Sequence, residues 1–200
     1  IGGPTMLRAA AKNWEHTLSV IDPTDYPNVI EALRNDSADK NFRVAMSAKV
    51  FQAMAAYNGS IANYLQQEAS KGMPANMTKS LELKQGLRYG ENPHQKAGFY
   101  KLENDNGFAD AEVLQGKELS YNNLLDLDAA CALVTEFSDS PAVAIIKHTN
   151  PCGCAAGKDG DDLVYIYKKA LTGDPKSAFG GIIATNESID KDTALAITGT

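Results

Sequence analysis

An apolar, β-branched run at residues 142–146 that stops at two adjacent basic residues most constrains how this chain folds. Such a run is typical of a fully buried strand. Lys147 and His148 follow at its carboxyl end, where open α/β sheets usually bind their ligands. Asn150-Pro151 and Gly153 then predict a turn. A strand that ends in polar residues because it reaches the surface explains the same pattern, so this segment alone leaves both interpretations open.

The charge balance argues against nucleic acid as a partner. A sequence-independent nucleic-acid binder needs a basic face, whereas this chain has a net charge of -6 and a pI near 5.1. Local basic pockets for phosphates are compatible with this overall charge. No apolar run reaches the roughly 18 residues of a membrane span, so we expect no membrane association. Cys131, Cys152 and Cys154 are an odd number and form no disulfide framework, which favours a reducing, cytoplasmic location.

The length of 200 residues suits one domain or parts of two. Ile1 stands in what looks like a glycine turn, and Thr200 ends a helical pattern that has no stop signal. We therefore expect a piece of a longer polypeptide. Residues 71–76 contain Gly72 and Pro74 without apolar periodicity, which predicts a linker.

Apolar periodicity predicts the helices, and short apolar runs between turn signals predict the strands. A long helix rests on apolar residues at steps of three and four from Phe42 to Leu65, which Asn58-Gly59 could interrupt. The helix from residue 124 places Asp126 and Asp128 in its first turn, where carboxylates favour the helix dipole. Strand–helix alternation in the second half indicates an α/β protein. The predicted helices are 5–12, 26–33, 42–65, 124–137, 163–171 and one begun by Asp190; the predicted strands are 18–21, 81–84, 98–102, 113–115, 142–146 and 181–185.

A polar segment at residues 88–95 follows a predicted strand. Arg88 can bind a phosphate or carboxylate through two hydrogen bonds, Tyr89 offers a ring face and a hydroxyl, and Gly90 allows close approach of the backbone. A plain turn at Asn92-Pro93 with a solvated Arg88 explains the segment equally simply.

Three further segments each have a functional and a structural interpretation. Residues 120–123 form either the polar wall of a small-ligand site or a helix N-cap. Residues 177–181 either expose backbone N–H groups to a ligand or make a simple turn. Lys12, near the end of the first helix, is either functional or a surface residue that complements the helix dipole.

The segment 151–154 raises the possibility of zinc. Nucleobase deaminases bind zinc through Pro-Cys-x-x-Cys and a distant His-x-Glu. Here Cys152 and Cys154 are one residue too close, and neither His94 nor His148 is followed two residues later by Glu. We therefore expect no metal, with a zinc-dependent deaminase relative as the alternative.

Five motifs occur in order along the chain, from residue 2 to residue 181. This arrangement closely resembles the bifunctional purine-biosynthesis family of aminoimidazole carboxamide ribotide (AICAR) transformylase/inosine monophosphate (IMP) cyclohydrolase. The motifs are Gly-Gly-Pro-x-Met-x-Arg-Ala-Ala-Ala-Lys-Asn at 2–13, Leu-Arg-Tyr-Gly-Glu-Asn-Pro-His-Gln at 87–95, Gly-Lys-Glu-Leu-Ser-Tyr-Asn-Asn at 116–123, Ile-Lys-His-Thr-Asn-Pro-Cys-Gly at 146–153 and Asp-Pro-Lys-Ser-Ala-Phe-Gly-Gly at 174–181.

The resemblance implies an α/β protein with two partial domains. Residues 1–75 would end a methylglyoxal-synthase-like cyclohydrolase domain, and residues 76–200 would begin a cytidine-deaminase-like transformylase domain without zinc. The substrates implied are AICAR, formyl-AICAR and the cosubstrate 10-formyltetrahydrofolate, with IMP as the product and a homodimer as the assembly. We expect the 200-residue chain to be inactive by itself; a non-catalytic nucleotide-binding fragment is the second alternative.

The resemblance also implies roles for individual residues. His148 would accept a proton from the AICAR amine, and Lys147 would stabilise the transition state. Lys12 would relay a proton in the cyclohydrolase reaction, and Trp14 stands where the resemblance leads us to expect histidine. The residues implied in substrate binding are Arg88, Tyr89, Gly180, Phe179 and Asn122 for the transformylase, and Gly2 and Gly3 for the cyclohydrolase.

The two catalytic residue types suit this chemistry. The AICAR amine is a weak nucleophile because its lone pair is delocalised into an electron-poor ring, so a base must remove its proton as it attacks the formyl carbon. Histidine can do so near neutral pH. A preorganised cation can stabilise the oxyanion that forms. Because adjacent strand residues point to opposite faces, Lys147 and His148 can reach one substrate only if the backbone turns at Lys147.

Overall fold

The computed structural model describes residues 2–69, 72–102, 107–158 and 160–199. The chain forms two compact units, one of Ile1–Glu82 with Lys101–Asn106 and the other of Leu83–Tyr100 with Gly107–Thr200. The α/β class is confirmed. Among the described residues, no helix combines the length and apolar character that crossing a membrane requires.

The first unit is helical. Its helices are α1 (Thr5–Lys12), α2 (Tyr26–Arg34) and α3 (Lys40–Ala69), and a 3-10 turn at Pro23–Asp25 leads into α2. Helices α1 and α3 pack through buried Ala11, Val50 and Met54. The Ser47 hydroxyl donates a buried 2.8 Å hydrogen bond to the carbonyl of Ala11, which fixes the end of α1 against α3.

The remaining elements follow in sequence. A two-stranded sheet pairs β1 (Leu81–Leu87) with β2 (Ala97–Leu102), and a second sheet has the order β4-β3-β5. The second sheet is antiparallel throughout. Its elements and the helices of the second unit are α4 (Tyr121–Thr135), β3 (Ala142–Lys147), β4 (Asn150–Ala156), α5 (Leu163–Leu171), α6 (Pro175–Ala178), β5 (Ile182–Thr185) and α7 (Lys191–Thr198).

Strand β3 is buried on both faces, as its apolar run predicts. Val143 and Ile145 pack in one cluster with Ile166 and Tyr167 of α5. The alternate residues Ala144 and Ile146 pack in a second cluster with Ala130 and Val134 of α4. Helices therefore cover both faces of the sheet, and the end of β3 emerges between them.

The turn after β3 differs from the sequence prediction. It lies at His148-Thr149, and residues 150–153 belong to β4. Pro151 is tolerated because β4 is an edge strand with an irregularity in its register at this point. Gly153 makes no turn; a Cβ there would lie 1.8 Å from the carbonyl oxygen of Ala170, so glycine allows α5 to approach β4.

Two predicted strands are wrong. Residues 18–21 form no strand, and Ile21 packs on the α1–α3 cluster instead. Residues 113–115 also form no strand, and Val113 and Leu114 are 70% and 84% exposed. A short apolar run forms a strand only where another strand pairs with it.

Several element boundaries also differ. Asn58-Gly59 does not interrupt α3. Gly59 is buried within the helix, where a Cβ would lie 2.8 Å from the Thr78 side chain. Helix α4 begins at Tyr121, three residues earlier than predicted, so Asp126 and Asp128 lie beyond its first turn. Helix α7 ends at Thr198 before Gly199, and Thr200 lies outside the described residues. Of the predicted linker, Lys71 lies outside them too, and residues 72–76 carry no helix or strand.

Candidate functional site

The hairpin between β3 and β4 places His148 in an unusual backbone conformation. His148 and Thr149 have φ angles of 53° and 61°, and they join the paired residues Lys147 and Asn150. Two central residues with positive φ characterise a type I′ turn, which usually contains Asn-Gly or Asp-Gly. The left-handed conformation costs an ordinary residue about 1–2 kcal/mol, and it is rarer still for β-branched threonine. Other groups must stabilise this turn.

Asp126 of α4 supplies that stabilisation. Its Oδ1 accepts a 2.7 Å hydrogen bond from the Thr149 N–H, and its Oδ2 accepts a 3.3 Å bond from the His148 N–H. On the other side of the turn, the His148 carbonyl accepts bonds from Thr149 Oγ1 (2.7 Å) and Asn150 Nδ2 (2.8 Å). The turn is therefore held through its backbone, while the His148 residue is exposed.

Lys147 is the last residue of β3, and its side chain is held by the turn that follows α6. Its Nζ donates a 2.7 Å hydrogen bond to the carbonyl of Phe179. Since an ammonium has three donors, two stay available for a ligand. For Lys147 and His148 to reach one substrate, the sequence predicted that the backbone turns at Lys147. In the structure it turns one residue later, at His148 and Thr149.

The turn after α6 exposes Phe179 beside the Lys147 ammonium. Phe179 is 77% exposed, and Gly180 has a φ of 72°, which glycine adopts readily. A Cβ on Gly181 would lie 2.8 Å from the Ile146 carbonyl, so this turn packs closely against the end of β3. An exposed aromatic ring and an ammonium at one edge can bind a planar ligand that carries a hydrogen-bond acceptor.

The Arg88 segment is attached to the N-terminus of α4. Arg88 Nη2 donates to Asn123 Oδ1 at 3.4 Å, and its guanidinium lies 5.5 Å from the centroid of the Tyr89 ring. The Tyr121 N–H donates to the Tyr89 carbonyl at 3.4 Å, and Asn122 Nδ2 donates to the carbonyl of Glu91 at 3.4 Å. Arg88 is exposed, so its guanidinium can also bind an anion.

Helix α4 links the two halves of this candidate site. Ser120 and Asn123 form a capping box that fixes where the helix begins. Asp126 follows Asn122 by four residues, so both lie on one face of the helix. The structure thus connects the Arg88 segment, the His148 turn and the Lys147–Phe179 contact within one unit. Asp126 was missed as a site residue, although it stands one helical turn after Asn122; Asn123 belongs to the polar segment 120–123 that the sequence already indicated.

The predicted cyclohydrolase residues lie in the first unit. The Gly2 N–H donates to the hydroxyl of Tyr57 at 2.6 Å. Gly3 is exposed, and Lys12 is the exposed last residue of α1. Trp14, where histidine was expected, lies 5.5 Å beneath the ammonium of Lys40, which is a cation–π distance.

The cysteines give little support to a zinc site. Burial raises the pKa of the Cys131 and Cys154 thiols above the ordinary value, with a further contribution from the charge of Asp128 at Cys131. In the part of the chain that the structure describes, no group of three His, Cys, Asp or Glu residues could hold a metal ion.

Comparison with known proteins identifies close relatives. Residues 10–200 match the AICARFT/IMPCHase bienzyme family. The chain is 50% identical over 205 aligned residues to the bifunctional purine biosynthesis protein PurH of Acidithiobacillus ferrooxidans, covering 98% of this chain and 38% of that protein. It is 48% identical to PurH of Bacillus cereus strain AH187 and of Acaryochloris marina, covering 97% and 100% of this chain. The chain spans about 38% of the length of the first of these relatives.

Proposed function

The chain belongs to the AICARFT/IMPCHase bienzyme family, and on that basis we propose that it is part of a bifunctional enzyme of purine biosynthesis. The enzyme transfers a formyl group from 10-formyltetrahydrofolate to AICAR and then closes the ring of formyl-AICAR to give IMP. Residues 1–75 belong to the cyclohydrolase domain, of methylglyoxal-synthase type. Residues 76–200 belong to the transformylase domain, of cytidine-deaminase type.

The hairpin end of β3 carries the proposal for formyl transfer. His148 accepts a proton from the AICAR amine as the amine nitrogen attacks the formyl carbon. The new C–N bond leaves a tetrahedral oxyanion, which collapses when the bond from that carbon to N10 of the folate breaks and N10 takes up a proton. A general base must come within hydrogen-bond distance of the proton that it removes. His148 can meet this requirement because the residue is exposed and the backbone of its turn is held by Asp126.

Lys147 stabilises the oxyanion in this proposal. Its hydrogen bond to the Phe179 carbonyl holds the ammonium in place before the reaction starts. A preorganised charge of this kind is worth about 3–4 kcal/mol when it acts on a developing oxyanion. Phe179 and Gly180 line the same edge, where the exposed ring of Phe179 can contact the imidazole of AICAR.

Arg88 binds the anionic part of AICAR. Its guanidinium is exposed yet oriented by Asn123 and the Tyr89 ring, which leaves donors free for a phosphate. Asn122 is exposed on the same helix end and provides a further polar contact. The net charge of -6 makes such a local cation the main electrostatic attraction for a phosphorylated substrate.

Lys12, Gly2 and Gly3 act in the cyclohydrolase reaction, with Lys12 relaying a proton and the glycines next to the nucleotide. No metal takes part in either reaction, the enzyme is a cytoplasmic homodimer, and neither nucleic acid nor a membrane is a partner. The 200-residue chain alone binds ligand without turnover, because much of each site comes from the rest of the polypeptide.

Calorimetric titration of the chain with AICAR tests the Arg88 pocket. We expect saturable binding that the Arg88→Ala variant loses and that the Arg34→Ala variant retains, since Arg34 is an exposed arginine at the end of α2 in the other unit. Equal binding by wild type and Arg88→Ala would refute the assignment of Arg88. Binding without formyl transfer would fit a non-catalytic fragment as well as the incomplete site proposed here.

A further inference from the structure

We propose that Asp126 is a positioning residue for formyl transfer: its carboxylate holds the left-handed turn that aims His148 at the substrate. This inference rests on the proposed function of His148 and extends it to a residue that does not itself touch the substrate. The observation behind it is that one side chain of α4 binds the N–H groups of both turn residues.

The turn needs an external partner because its own sequence does not favour it. His148 and Thr149 both have positive φ, yet neither is glycine or asparagine. The turn after β3 is also followed by Asn150-Pro151, whose sequence alone predicts a turn two residues later. Without Asp126, the chain between β3 and β4 has other turns available to it.

The backbone at His148 decides where its imidazole lies. Lys147 follows the alternation of β3, on the side of Phe179. If residue 148 continued the strand, its side chain would point to the opposite face from Lys147. The positive φ at His148 takes the residue out of the strand instead, and the two hydrogen bonds from Asp126 keep it there.

Asp126 is itself held in place by the core. It stands one helical turn before Ala130, which is fully buried, and Val134 is also buried farther along α4. Both pack with Ala144 and Ile146 of β3. The carboxylate and the strand that carries His148 are therefore attached to the same rigid layer, so the position of the turn relative to α4 is fixed.

Steady-state kinetics of the full-length enzyme test this proposal, with His148→Ala assayed in parallel. In Asp126→Asn one acceptor oxygen becomes an amide NH2 group, which only donates, so the variant keeps the size of the side chain but cannot accept both N–H groups. We expect kcat for formyl transfer to fall about ten- to a hundredfold, as for a misplaced catalytic group, with little change in KM for AICAR. Asp128→Asn is the matched control, because Asp128 is exposed on the same helix and loses the same charge.

Rescue distinguishes positioning from folding. Thr149→Gly places glycine where the type I′ turn prefers it, so Asp126→Asn/Thr149→Gly should regain most of the lost kcat. Cyclohydrolase activity of the same molecules should stay at the wild-type level. The proposal is overturned if Asp126→Asn matches Asp128→Asn, if the second substitution restores nothing, or if both activities fall together. Retention of transfer by His148→Ala would instead refute the proposed function, and the positioning role with it.

Discussion

Gly153→Ala should strongly destabilise the chain. A Cβ at residue 153 would lie 1.8 Å from the carbonyl oxygen of Ala170, about 1.6 Å short of the 3.4 Å at which ordinary contact begins. The clash is with the backbone of α5, so rotation of a side chain cannot relieve it. To make room, α5 must move away from the sheet, although Ile166 and Tyr167 on it are almost fully buried.

The expected magnitude lies at the upper end of the range for overpacking. Inserting one methyl into a packed core costs about 1–3 kcal/mol, occasionally more, and a rigid neighbour favours the larger value. We therefore expect a loss of about 3 kcal/mol in the free energy of unfolding, and a fall in Tm of about 10–20 °C for a unit near 100 residues.

Urea and thermal unfolding followed by circular dichroism measure this effect. The matched control is Gly86→Ala in β1, where a Cβ meets nothing within 4 Å. That substitution should be neutral or stabilise by up to about 1 kcal/mol, because alanine narrows the unfolded ensemble. If Gly153→Ala unfolds at the same midpoint as Gly86→Ala, the close approach of α5 to β4 is wrong.

Two further predictions concern helix caps. Ser120→Ala removes the capping box of α4 and should cost about 1 kcal/mol of unfolding free energy in urea titrations; an unchanged midpoint would contradict the cap. Thr193, whose N–H donates a 2.8 Å hydrogen bond to Asp190 Oδ1, lowers the pKa of Asp190 below its ordinary value. The ionised Asp190 carboxylate therefore stabilises the folded state fully above the pKa that Asp190 has in the unfolded chain. This contribution is lost as the pH falls through the lower pKa of Asp190 in the folded chain. Asp190→Asn should reduce the acid sensitivity of unfolding, and acid titrations that coincide for the two proteins would contradict this.

The helices and strands that are predicted best are those whose signals come from residues close together in the sequence. The run at 142–146 contains only residues that suit burial on both faces, and the helix at Leu163–Leu171 matches the prediction at both ends. Asp190 begins the final helix as predicted, since an N-cap needs only its own three neighbours. These features depend on interactions between residues that are close in sequence.

The candidate site depends on contacts that local pattern does not contain. Asn150-Pro151 carries the stronger turn signal, but the turn forms at His148-Thr149 because Asp126, more than twenty residues earlier, binds its N–H groups. Similarly, nothing near Lys147 indicates that its ammonium binds the carbonyl of Phe179, 32 residues later. The motifs identify which residues matter, whereas tertiary packing decides how they are held.

The most direct test of the central claim compares two substitutions in the full-length enzyme. His148→Ala should abolish formyl transfer to AICAR while leaving the cyclisation of added formyl-AICAR near the wild-type rate. Lys12→Ala should do the reverse, because Lys12 lies in the other compact unit. If either substitution lowers both activities equally, these residues support folding rather than catalysis, and the assignment of the two reactions to two separate domains is wrong.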